Sequence, residues 1–102
     1  MHYITTMSEL ESITSAHKFV IVDFYTDYCP PCKAIGPEFE RLSREDEMRV
    51  FVKCDASKAH DLATACEVYS VPTFIAFING KEVARMNGGG ASKLQAFIRS
   101  NL

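Results

Sequence analysis

The chain has 102 residues, 47% of them hydrophobic and 24% charged, which is the composition of an ordinary globular protein with room for one core. Its formal net charge of -2 offers no basic surface to a phosphate backbone or an anionic membrane, so neither nucleic acid nor a membrane is an expected partner. No segment reaches the roughly 20 apolar residues that span a bilayer, and the opening MHYITTMSELES lacks the basic start and apolar run of a leader, so a single domain over residues 1–102 in the cytoplasm is expected.

His2 to Thr5 is a short strand candidate. Thr6 and Ser8 each have a glutamate three residues on, Glu9 and Glu11, a doubled capping-box pattern; with Leu10 and Ile13 as an apolar stripe, a helix from about Ser8 to His17 follows. Phe19 to Tyr25 (FVIVDFY) is a nearly continuous branched and aromatic run, as expected of a central strand covered on both faces. Beyond the next turn, Ile35, Phe39 and Leu42 recur at helical spacing among charged residues, with Pro37 inside the helix as the expected kink.

Met48 to Lys53 reads as a strand and Ala59 to Glu67 as a short helix, so strand, helix, strand in succession implies a right-handed crossover and parallel pairing. Thr73 to Ile78 and Lys81 to Met86 flank Asn79-Gly80, a strong hairpin signal, and place an antiparallel pair at the end of the sheet. A last helix runs from Ser92 to about Asn101 with Leu94, Phe97 and Ile98 on one face. The expected architecture is α/β, a central mixed sheet flanked by helices on both faces.

The chemistry concentrates where the central strand ends, at TDYCPPCK. A residue before proline is biased away from helical angles, which applies to Cys29 and to Pro30, while the fixed angle of Pro31 suits a first helical turn. Cys29 is therefore expected just before a helix and Cys32 inside its first turn. The unpaired N–H groups at that helix end favour a thiolate, which makes Cys29 a nucleophile. At this spacing Cys32 is placed to close a disulfide with it. A static staple is the weaker reading, because so short a loop removes little unfolded-state entropy. A zinc or iron–sulfur site would need all four sulfurs of Cys29, Cys32, Cys54 and Cys66, and the last two lack the compact spacing of a metal knuckle.

VDFYTDYCPPCK, Pro37, Val71-Pro72-Thr73 before a strand, Asn79-Gly80 and then Gly88 occur in an order and spacing that resembles the thioredoxin family along nearly the whole chain. The resemblance implies the thioredoxin fold and a thiol–disulfide oxidoreductase that reduces protein disulfides. Cys29 would be the exposed nucleophile and Cys32 the more buried resolving thiol. Pro72 would be the family's cis-proline, turning the backbone of Val71 to the substrate. Tyr28, Pro30, Val71 and Gly88 would form an apolar contact rim, with Pro31 and Lys53 in support. No metal or other cofactor is implied beyond the reversible Cys29–Cys32 disulfide. The implied partners are disulfide-containing proteins and a flavin-dependent thioredoxin reductase or another dithiol donor, served by a monomeric chain.

Asp23 stands in the middle of an apolar strand, where charge is costly, so desolvation is expected to raise its pKa and suit it to move the proton of Cys32. The match to the family's buried aspartate supports that role. The plainer reading is an aspartate tucked against a backbone amide or paired with Lys53. Two departures from the family pattern stand out: tyrosines, Tyr25 and Tyr28, replace two tryptophans, and Pro30 replaces a glycine, giving a pair similar to that of tryparedoxins and nucleoredoxins. Cys54 and Cys66 are read first as core residues, Cys66 also as a regulatory or dimer-forming thiol by its likeness to an extra thiol of animal thioredoxins. His2, His17 and His60 are expected at the surface. Beside the oxidoreductase, a binding module using the same apolar rim and a metal- or cluster-binding protein remain as alternative functions.

Overall fold

A computed structural model describes the chain from Met1 to Leu102. Strands β1 (His2–Tyr3), β2 (Phe19–Tyr25), β3 (Val50–Asp55), β4 (Thr73–Ile78) and β5 (Lys81–Asn87) alternate with helices α1 (Met7–Ala16), α2 (Pro30–Glu45) and α3 (His60–Ala65), and α4 (Ala91–Asn101) ends the chain. The five strands form one sheet in the order β1-β3-β2-β4-β5. β1 and β2 pair parallel to β3, while β4 runs antiparallel to both β2 and β5. This is the expected mixed sheet.

Strand β2 lies at its centre because its residues can be buried on both faces. Val20, Val22 and Phe24 point into one core with Leu10, Val52, Leu62 and Ile75; Ile21 points into the other with Ile35, Phe39, Phe51, Phe74 and Leu94. A fully buried side chain of this kind contributes about 1.5–3 kcal/mol. Val20, Ile21, Val22 and Phe24 are all 0% exposed, so together they outweigh the cost of the one carboxyl, Asp23, carried in the same strand.

The boundaries that differ from expectation have local causes. β1 stops at Tyr3 because the Thr5 and Thr6 amides donate to Glu9 Oε1, at 2.9 and 3.2 Å. That makes Thr6 the N-cap of α1; its hydroxyl accepts from Glu9 N–H at 3.1 Å, while the second expected box, Ser8 with Glu11, lies within the helix. Thr6→Ala is expected to cost about 1 kcal/mol, read as a lowered urea midpoint at unchanged slope. β3 starts at Val50 rather than Met48 because the Asp46 carboxylate accepts from the amides of Met48 (2.9 Å) and Arg49 (3.0 Å), holding both in a turn. α3 ends earlier than expected, with Glu67 just beyond it in a left-handed conformation (φ 56). Asn79 and Gly80 both take positive φ, 52 and 83, as a tight hairpin requires.

Pro30, which the following proline biases away from helical angles, is nonetheless the first residue of α2, with Cys29 just before the helix as expected. Both prolines sit in the first turn, where no intrahelical N–H is needed, and α2 continues through Pro37 to Glu45.

Candidate active site

The β2-to-α2 junction carries the cysteine pair. Cys29 is the N-cap of α2 in an extended conformation (φ -103, ψ 108), and Cys32 follows in the first turn. The two are joined by a disulfide with their Cα atoms 5.2 Å apart. Cys32 N–H donates to Cys29 Sγ at 3.2 Å, so one of the helix's free amides already points at the sulfur that would carry negative charge. The implied contrast in exposure is small in this oxidised state, Cys29 being 9% and Cys32 6% exposed.

A second loop closes over the pair. The Val71–Pro72 peptide bond is cis, and the Val71 carbonyl oxygen lies 3.6 Å from Cys29 Sγ. Behind it, Pro72 O accepts from Gly88 N–H at 2.8 Å, and the Thr73 hydroxyl bonds Ser70 O at 2.6 Å and Asn87 Oδ1 at 2.8 Å. These bonds fix the loop from behind. The Val71 N–H has no partner among the backbone hydrogen bonds, leaving a main-chain donor free beside the disulfide.

Around this centre Tyr28 is 86% exposed, Pro30 and Pro31 are exposed, and Val71 and Gly88 are half-buried. The sequence reading missed Tyr69, 84% exposed two residues before Val71; an aromatic residue in the polar stretch Glu67 to Ser70 was the available signal.

Asp23 lies on the α2 side of β2 and is 1% exposed. Its Oδ1 has no hydrogen-bond partner, and no ion pair joins it to Lys53, so neither plainer reading of this residue describes it. Burial pushes its pKa up to about 7, the Lys53 charge pulling it down and the Glu40 charge adding to the rise. Lys53 sits directly across from Asp23 in the β2–β3 register. Its ammonium is 3.8 Å from Glu40 Oε1 and 4.7 Å from the centre of the Tyr25 ring.

The other cysteines stand apart. Cys54 is in the core on the opposite face of the sheet, with Cys66 half-buried against the same cluster. Burial pushes the Cys54 thiol up to about 12 and raises that of Cys66. The four sulfurs are not gathered, and no group of His, Cys, Asp and Glu side chains has the arrangement of a metal site. A cavity of about 610 Å³ near Leu42, Met48 and Ile98 lies at the other end of the sheet, away from the cysteines. His2, His17 and His60 are exposed, and no helix is long and apolar enough to cross a membrane.

A redox-active disulfide at a helix N-terminus, faced by a cis-proline loop, defines a protein thiol–disulfide oxidoreductase whose working group is its own cysteine pair. Comparison with known proteins gives the same class. The thioredoxin family model matches residues 2–100, and the chain belongs to the thioredoxin family. It is 35% identical to thioredoxin-1 of Schizosaccharomyces pombe over 99 residues, covering 97% of this chain and 96% of that one. The solved structure of Fasciola hepatica thioredoxin superposes with a TM-score of 0.95 at 31% identity, covering all of both chains. Oxidised mitochondrial thioredoxin 3 of Saccharomyces cerevisiae gives 0.92 at 28% identity over 98% of this chain and 94% of that one.

Proposed function

We propose that Cys29 is the attacking thiolate, Cys32 the resolving thiol, Asp23 the proton carrier and the Val71–Pro72 backbone the dock for a substrate strand. The carrying observation is the juxtaposition at Cys29 Sγ: the Cys32 amide on one side at 3.2 Å and the Val71 carbonyl on the other at 3.6 Å. The helix end stabilises charge on Cys29, which attacks one sulfur of a substrate disulfide; the S–S bond breaks, a mixed disulfide forms and the first substrate thiol leaves. Cys32 gives its proton to Asp23 and attacks Cys29 Sγ. The second substrate sulfur departs as a thiolate and takes up the proton held by Asp23 through water, so the pair is left oxidised and Asp23 ionised again.

The free Val71 N–H and its carbonyl offer an extended chain the two bonds of short β-type pairing. Tyr28, Pro30, Val71 and Gly88 supply its apolar contacts. Pro31 fixes the first helical turn, and Lys53 tunes Asp23. The substrates are disulfide-containing proteins of the cytoplasm, the donor is a flavin-dependent thioredoxin reductase, and the chain works as a monomer without a metal.

The direction of electron flow is tested by equilibrating a Cys54→Ser, Cys66→Ser variant in defined thiol buffers and counting free thiols. A potential below the cytosolic glutathione poise of about -220 to -260 mV is expected of a reductant. A value above that range would make the protein an oxidant or isomerase and overturn the proposed direction.

A further inference from the structure

Lys53 lies across the sheet from a buried carboxyl, yet its ammonium is engaged elsewhere. Asp23 and Lys53 are paired in the β2–β3 register, and both lie on the face covered by α2. Ordinary pairing would join them. Instead Lys53 Nζ lies 3.8 Å from Glu40 Oε1 and over the Tyr25 ring at 4.7 Å, while Asp23 Oδ1 is buried and unpartnered. Tyr25, Cys32, Gly36, Pro37, Glu40 and Lys53 all line one cleft of about 230 Å³. Cys32, Lys53 and Glu40 thus share a solvent space.

We propose that Glu40 is a positioning residue for the exchange reaction: together with the face of Tyr25 it holds the Lys53 ammonium on the cleft side, away from Asp23, and so keeps Asp23 free to take up and release a proton. The inference rests on Asp23 being the proton carrier of Cys32. Two carboxylates compete for one cation, and the partly exposed one holds it. The buried one is then left without the partner that would pin it as an anion. Glu40 acts twice in the same direction, because its own charge also opposes ionisation of Asp23.

The charged and titratable groups around Asp23 are few. Lys53 faces it from β3, and the Glu40 charge acts on it from α2. β4 places Phe74 opposite it and contributes no charge. Tyr25 lies two residues along the same strand, with Asp27 and Asp55 acting on that tyrosine at the strand end. Removing the Glu40 charge therefore has one sign: Lys53 is freed to approach Asp23, a repulsion disappears, and Asp23 ionises at lower pH.

The test follows the Asp23 carboxyl carbon by NMR through a pH titration of the reduced protein, in wild type, Glu40→Gln and Glu40→Asp. Beside it, the pH profile of the Cys32 resolution step is measured by stopped flow. Glu40→Gln is expected to lower the Asp23 midpoint by about one unit and to move the acid limb of the rate profile down with it. Glu40→Asp restores most of both. In a Lys53→Met background the effect of Glu40→Gln shrinks, because the restraint acts through the lysine. An Asp23 midpoint unmoved in folded Glu40→Gln, or an undiminished effect without Lys53, overturns the proposal. A midpoint that shifts while the rate profile stays in place upholds the control of Asp23 by Glu40 and instead removes Asp23 from the proton transfer.

Discussion

Cys29→Ser is expected to reduce disulfide-reductase turnover below detection, roughly 10³-fold or more, because a hydroxyl at the N-cap is almost entirely protonated at neutral pH and is a poor nucleophile toward sulfur. The remaining thiols are poor substitutes: Cys32, freed in this variant, is only 6% exposed, while Cys54 is fully buried on the opposite face and Cys66 is half-buried, both with raised pKa values. Cys32→Ser should behave differently. Cys29 still attacks but no thiol follows, so a mixed disulfide with the substrate accumulates in one-to-one ratio and is visible on nonreducing gels and by mass. Steady turnover in Cys29→Ser would overturn the assignment of the nucleophile. Steady turnover in Cys32→Ser would overturn that of the resolving thiol.

Asp23→Asn should stabilise the protein at pH 8 and slow its chemistry. An unfolded aspartate titrates near 3.8, whereas burial lifts the folded one to about 7. Between these values the folded state holds a proton that the unfolded state has lost, so stability falls as pH rises through the interval. The penalty is absent below about pH 4 and complete above about pH 7, and it amounts to about 4 kcal/mol. Asparagine keeps the shape and never ionises. Its advantage over wild type should therefore grow by that amount from pH 4 to pH 8 in urea unfolding, and an advantage independent of pH would contradict a buried, raised carboxyl. In the same variant the resolution step should slow roughly 10- to 100-fold at neutral pH for want of an internal proton acceptor. The two effects pull in opposite directions at one residue, as expected where a charge is kept in the core for chemistry rather than for folding.

With Tyr25, Tyr28 and Pro30 where the family pattern has tryptophans and a glycine, the pair still sits at the start of α2 with its Cα atoms 5.2 Å apart. Pro30 fits because the first residues of a helix have no use for their amides, and the amide that does reach Cys29 Sγ belongs to Cys32. The Tyr25 ring faces the Lys53 ammonium. Tyr28, next to Cys29, and Tyr69, close to Val71, are the two most exposed aromatic residues.

The sequence by itself determined what short-range physics decides. A continuous apolar run made β2 the central strand, and the proline pair put Cys29 at a helix N-terminus with Cys32 one turn in. Asn79-Gly80, with φ of 52 and 83, bent the hairpin, and Glu9 folded back on Thr6 to start α1. Only the tertiary structure decided what faces what. Forty-two residues separate Cys29 from Val71, whose carbonyl lies against its sulfur. Likewise the partner of Lys53 could not be read from a list of charges. Asp23, Glu40 and the Tyr25 ring were all in reach in principle, and strand register, helix placement and burial gave the cation to Glu40 and Tyr25. Local signals act through the backbone of a few neighbouring residues, whereas competition for one ammonium is settled only when three elements have packed and the solvent between them has been removed.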